Sequence, residues 1–168
     1  ILPNEQVVLK TEIPGRITLL NFTEGIAVPK GTLLVQIDDS EYKAELKKYE
    51  AQLKLAIEDE SRKKELLSMK GVSQEVYDQA FTKREELLAN IDLVKSNIRK
   101  SGIIAPFDGT VGLRYVSLGA YVTNSDVIAT LLQTDPVRIE FSIPEKYASM
   151  VSGPMEISFT VAGSEGVF

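Results

Sequence analysis

A chain without a single histidine or cysteine has few ways to do chemistry. Imidazole bases, thiolate nucleophiles and nearly all zinc, copper and haem sites are excluded at once. Carboxylates, lysines and hydroxyls remain. The densest acidic group is Asp38-Asp39-Ser40-Glu41, which has the charge for Ca²⁺ but lacks the alternating ligands of a calcium loop. Helix capping explains it better: Asp38 and Glu41 stand at capping-box spacing, with Ser40 an alternative cap. No other carboxylates have a spacing that selects an acid–base pair, and the glycines are spread over turns rather than gathered into a phosphate loop. The sequence predicts no catalytic residue, no metal ligand and no cofactor.

The elements around these residues are those of a folded chain. Its 168 residues are 43% hydrophobic and 26% charged. A net charge of −5 gives no basic field for DNA or RNA, so no nucleic-acid partner is expected. No run approaches the roughly 18 apolar residues of a membrane span, and no charged-then-apolar leader opens the chain. The start at Ile1-Leu2-Pro3 and the stop after Gly163-Ser164-Glu165-Gly166 read as the ends of a trimmed piece.

Residues 7–37 have the short apolar runs and frequent turns of a small β-domain: Val7–Leu9, Arg16–Leu19 and Leu33–Ile37, broken at Pro14-Gly15, Glu24-Gly25 and Lys30-Gly31. From 38 to 102 the character changes. The stretches 40–70 and 73–101 contain no Gly or Pro and predict two helices of roughly 40 Å each. Gly71 is the expected stop of the first, Ser73 the expected cap of the second.

Each helix carries a heptad-like stripe. The first reads Tyr42, Leu46, Tyr49, Leu53, Ala56, Glu60, Lys63, Leu67; the second reads Tyr77, Phe81, Arg84, Leu88, Ile91, Lys95, Ile98, with Val94 beside the lysine. Folding back at Gly71 in one antiparallel register brings Leu67 to Tyr77, Ala56 to Leu88, Leu53 to Ile91 and Leu46 to Ile98. The same register puts Glu60 against Arg84 inside the seam, a candidate register pair. Splaying of both side chains to solvent is the alternative.

After Gly102 the β pattern returns over 103–133, and it repeats the first half. Gly15 and Gly109, Ile17 and Val111, Gly25 and Gly119, Val28 and Val122, Leu34 and Ile128, and Ile37 and Leu131 all keep one offset of 94 residues. Half-motifs of this size are too small to fold alone, so they are expected to pair into one β-domain with the hairpin inserted between them. Residues 134–168 read as part of a further β-domain. Asp135-Pro136 is the expected linker turn, Val137–Ile143 and Met155–Val161 are expected strands, and Pro144–Val151 is an expected short helix.

This order, half-domain, helical hairpin, half-domain and then barrel strands, resembles the periplasmic adaptor (membrane fusion) proteins, the HlyD-like subunits of tripartite efflux pumps. The resemblance spans nearly the whole chain. Its carriers are Pro14-Gly15-Arg16-Ile17, Glu24-Gly25, Val28-Pro29-Lys30-Gly31, Leu34–Asp38, Ile104-Ala105-Pro106-Phe107-Asp108-Gly109-Thr110-Val111-Gly112 and Gly119-Ala120-Tyr121-Val122. Asp135-Pro136-Val137 leading into Phe141–Glu145 is similar to the family's entry into its β-barrel. The implied fold is α+β: a split lipoyl-like β-sandwich (barrel-sandwich hybrid) interrupted by an antiparallel two-helix coiled coil and followed by part of a β-barrel domain.

The resemblance also reaches the hairpin tip. Adaptors that engage TolC-type outer-membrane channels cluster an Arg, a Leu four residues on and a Ser seven further on, and Arg62, Leu66 and Ser73 keep that spacing. Leu67 faces the seam, so Leu66 must point elsewhere, and Arg62, Leu66 and Met69 share a face at i, i+4 and i+7. An exposed Leu and Met beside an Arg at the end of a rod make a reasonable docking spot. The bland readings are a solvated Arg62 and a Ser73 that only caps.

The family's partners would be an inner-membrane transporter of the resistance-nodulation-division type, a TolC-type channel and further copies of the chain in a trimeric or hexameric ring. The site of action would be the periplasm, with an inner-membrane anchor on a segment absent from this chain. Three rivals stand beside that reading, one of them a purely structural coiled-coil scaffold, which the split repeat and Ala105-Pro106-Phe107-Asp108-Gly109 disfavour. An adaptor of an ABC-driven exporter shares the architecture. A biotinyl or lipoyl carrier is suggested by Met69-Lys70, but carriers modify a lysine on the tight turn between their β halves, where this chain has its entire hairpin.

Overall fold

The computed structural model describes residues 2–146 together with Gly153 and Ser158. Its elements run β1 (Leu2–Lys10), β2 (Gly15–Leu20), β3 (Ala27–Val28), β4 (Leu33–Ile37), α1 (Ser40–Ser68), α2 (Gln74–Lys100), β5 (Gly102–Ile104), β6 (Gly109–Arg114), β7 (Tyr121–Val122) and β8 (Val127–Arg138). The strands form two four-stranded sheets, ordered β1-β8-β6-β3 and β5-β4-β2-β7. Each half of the repeat gives two strands to each sheet, so neither half has a sheet of its own.

The repeat becomes a pseudo-two-fold in the pairing. In β2–β7, Gly15 lies opposite Val122 and Arg16 opposite Tyr121. In β3–β6, Val28 lies opposite Gly109 and Ala27 opposite Thr110, which is the same contact read from the other half. The turns obey it too. Gly25 N–H donates to Val111 O at 2.8 Å, and Gly119 N–H donates to Ile17 O at 2.9 Å. Both glycines have positive φ, 77° and 82°, a backbone that only glycine adopts without strain. Gly15 and Gly109 are needed for closeness instead. A Cβ would stand 2.5 Å from Ile37 Cγ2 at the first and 2.7 Å from Leu132 O at the second.

The core follows the offset as well. Ile17 and Val111, Leu34 and Ile128, and Ile37 and Leu131 are all fully buried. Burying each such side chain is worth about 1.5–3 kcal/mol, which is what holds the two halves around one centre. Ser101, also fully buried, closes the hairpin base: its carbonyl accepts from Ile37 N–H at 2.8 Å, and its hydroxyl donates to Asn97 O at 2.9 Å.

In the β-domain, its junction with the hairpin and the segment after it, the structure departs from the sequence reading in four places. First, β1 starts at Leu2, ahead of Val7, and pairs with β8 as far as Arg138. Second, Asp135-Pro136 is no linker turn. It is a cis peptide inside β8, at the register irregularity between Pro3 and Glu5 of the partner strand. A proline is tolerated there because the ladder is already interrupted.

Third, the capping box at Asp38 and Glu41 does not form. Asp39 holds the N-cap position without a side-chain cap bond, and Asp38 Oδ1 instead accepts from Ser40 N–H at 3.0 Å. Fourth, strand structure ends at Arg138 rather than running to Ile143. Of the expected helix 144–151 only residues 144–146 are described, and the expected strand Met155–Val161 lies, apart from Ser158, outside the described residues.

Candidate functional site

The two helices leave the β-domain side by side and pack along their length, with the tip at residues 69–73 farthest from the sheets. On α1 every residue of the predicted stripe is at least half-buried, with Glu60 the most buried, and Glu45 and Asp59 flank it at intermediate exposure. On α2 three of the seven stripe positions differ. Ala80, Leu87 and Val94 are buried at 5%, 2% and 3% exposure, while Phe81 and Leu88 stand at 41% and 38% and Lys95 is exposed. Both phases share Tyr77, Arg84, Ile91 and Ile98, and the sequence is apolar at 80 and 81 and again at 87 and 88. Periodicity therefore could not choose between them, whereas packing did. Ala56 accordingly shares a groove with Leu87 rather than Leu88.

Glu60 crosses the seam. Arg84 Nη1 donates to its Oε2 at 2.8 Å, and the Tyr77 hydroxyl donates to its Oε1 at 3.2 Å. Desolvation first, and then the hydrogen bond to the Glu60 carboxylate, push the Tyr77 phenol above its usual pKa. Arg84 also bonds Glu85, which with the Glu60 charge raises the guanidinium's pKa further, and it lies 4.9 Å from the Phe81 ring centroid. The polar cluster thus holds one carboxylate between two donors of the facing helix.

Beyond it the first helix ends in a way the sequence hid. Met69 is the C-cap, and Lys70, not Gly71, takes the left-handed position, at φ 57°. Lys70 N–H donates to Leu67 O at 3.0 Å and Gly71 N–H to Leu66 O at 2.8 Å, the paired bonds of a Schellman motif. Ser73 caps α2 as expected, accepting from Val76 N–H at 3.4 Å.

The tip residues point outward. Leu66 is 39% exposed and Met69 67%, and Arg62 and Ser73 are exposed. Arg62 also borders an open groove of about 460 Å³ with Leu55, Ala56, Asp59 and Leu87. The arrangement offers an apolar spot ringed by charge, suited to binding rather than bond-making.

Elsewhere, Asp39 forms an ion pair with Lys43 at 2.9 Å, and among the described residues no group of three or more acidic side chains is placed to hold a metal ion. No described helix is long and apolar enough to cross a membrane. Lys70 stands at the far end of the hairpin, not on a turn between β4 and β5.

Comparison with known proteins places this geometry among relatives. The model of the family described as "RND MFP, barrel-sandwich hybrid domain" matches residues 5–134. The chain is 30% identical over 158 residues to the toluene efflux pump periplasmic linker protein TtgD of Pseudomonas putida, covering 83% of this chain and 41% of that protein. It is 34% identical over 161 residues to the multidrug resistance protein MdtA of Proteus mirabilis, covering 86% and 39%. Among solved structures, a MacA-MexA chimera containing the Pseudomonas aeruginosa MexA α-hairpin domain superposes with a TM-score of 0.74 at 29% identity, covering 79% of this chain and 49% of the chimera. The chain spans about two fifths of the length of these curated relatives.

Proposed function

The chain belongs to the family of RND membrane fusion proteins, and from that membership we propose that it is the periplasmic adaptor of a tripartite efflux pump, bridging an inner-membrane transporter to a TolC-type outer-membrane channel through its hairpin tip. Relatives named as periplasmic linkers of efflux pumps support the adaptor role. The bridging contact rests on one observation: a rigid two-helix rod ends in Leu66 and Met69, both exposed, beside Arg62 and the cap Ser73. Side chains of this size and exposure at the end of a rod have little to do for the chain's own stability. They are suited to burial against a partner.

In this reading the work is assembly. The β-domains of several copies, three or six, close a ring in the periplasm, a segment outside this chain anchors it to the inner membrane, and the transporter supplies the energy. The adaptor itself contributes no catalytic step.

The test is a photo-crosslinker in place of Leu66, in the full-length protein in cells, with Arg62→Asp and Ser73→Phe as variants. Capture of the outer-membrane channel, and loss of export in both variants with the fold retained, is expected. Unchanged channel binding and export in both variants would overturn the docking role of the tip.

A further inference from the structure

The pseudo-two-fold repeat offers a way to separate what the fold needs from what it does not. Positions that build the turns and the core recur at the offset. Positions that differ in chemistry between the halves are free of that requirement. Three such departures meet in one place. An open basin of about 760 Å³ on the β-domain is lined by Val8, Tyr115, Tyr121, Val122, Asp126 and Val127, among others. At the equivalent positions of the first half, Tyr115 is matched by Asn21, Tyr121 by Ala27 and Asp126 by Thr32. Both aromatic rings and the carboxylate are therefore additions of the second half.

The tyrosines stand in water, 66% exposed at Tyr115 and 69% at Tyr121, although neither serves the core. Asp126 is the one charged residue among the described residues that line the basin. Its carboxylate is fixed: Oδ2 accepts from Thr123 N–H at 2.7 Å and from Thr123 Oγ1 at 2.8 Å. Those two bonds hold its pKa below the ordinary aspartate value, so it is anionic at neutral pH. Arg16, which faces Tyr121 across β2–β7, shares with it an adjoining cleft, where Asp38 and Glu41 also stand and offset the guanidinium charge.

We propose that this basin binds lipophilic organic cations, small molecules with an apolar, aromatic body and a single positive charge. The apolar wall takes up the body, the negative ring faces attract the cation, and Asp126 sets the sign of the charge accepted. This goes beyond bridging: the adaptor holds molecules of the cationic class directly, whether or not its tip engages a channel.

Two ions of nearly the same shape and opposite charge test it, tetraphenylphosphonium and tetraphenylborate, titrated by equilibrium dialysis against the chain at moderate ionic strength. Saturable binding of the phosphonium is expected, with the borate weaker by on the order of tenfold or more. Asp126→Asn, whose amide oxygen can still accept from Thr123, narrows that difference. Tyr121→Ser, at an exposed position, weakens both ions. Equal binding of the two ions would reduce the basin to an apolar patch and overturn the proposal. So would the absence of saturation at about 1 mM, or a Tyr121→Ser variant that alters only self-association in sedimentation. None of these readouts depends on the channel, so their failure is distinct from failure of tip docking.

Discussion

Arg84 reaches across the hairpin seam to Glu60, Nη1 to Oε2 at 2.8 Å, and Tyr77 completes the carboxylate's coordination from the same helix. A one-turn slip of α2 along α1 would leave Glu60, the most buried charged residue of the hairpin, without either donor. The pair therefore selects one register among several that the apolar stripe alone would tolerate.

Breaking the pair on one side and replacing it on both checks this. Glu60→Ala and Arg84→Ala each leave one charge at the seam without its partner, so either single variant is expected to melt at a lower temperature than Glu60→Leu/Arg84→Leu. The double variant should regain stability and lose uniqueness, broadening the distances that paired spin labels report across the hairpin. A single sharp distance in the leucine pair would assign the register to packing alone.

The split fold was legible because its evidence is chemical identity at a fixed offset: Gly15 and Gly109 have no room for a Cβ, and Gly25 and Gly119 have positive φ. How the halves interlock was not legible. An offset says which residues are equivalent, not that Gly15 lies opposite Val122. The α2 stripe was partly misread where Ala80 and Phe81, then Leu87 and Leu88, offer two apolar phases to the same period. Asp135-Pro136 reads as a break by sequence, and only a partner strand interrupted at the same level makes room for it. The outward direction of Leu66 followed from Leu67 facing the seam, so the candidate tip needed only one correct stripe.

Lys70 marks the limit of that reading. Its φ of 57° falls where glycine is expected, and glycine is the very next residue. A side chain in the left-handed region costs about 1 kcal/mol relative to glycine. Lys70→Gly is therefore expected to raise hairpin stability by up to about 1 kcal/mol, seen as slower amide exchange in the last turn of α1 and a higher urea midpoint. Lys70→Ala keeps the strain and should bring no gain. Equal stability of the two variants would show that the turn holds no strain at this position.

Asp38 ties the β-domain to the hairpin, and its acidity should be visible in the pH dependence of stability. Hydrogen bonds from Ser40, the hydroxyl first and the backbone N–H second, hold its pKa below the ordinary aspartate value. A carboxylate more acidic in the folded chain than in the unfolded one binds fewer protons when folded. Its contribution is present above the unfolded value and is lost as pH falls through the folded one. Urea midpoints are expected to stay level on this group's account above about pH 5 and to decline below about pH 4. Asp38→Asn removes the titrating group while keeping an acceptor for Ser40, so its decline should be shallower over that window, with the two proteins converging at the acid end. Parallel profiles from pH 7 down to pH 2 would mean that Asp38 titrates alike in both states, and that the link between β4 and α1 draws nothing from its charge.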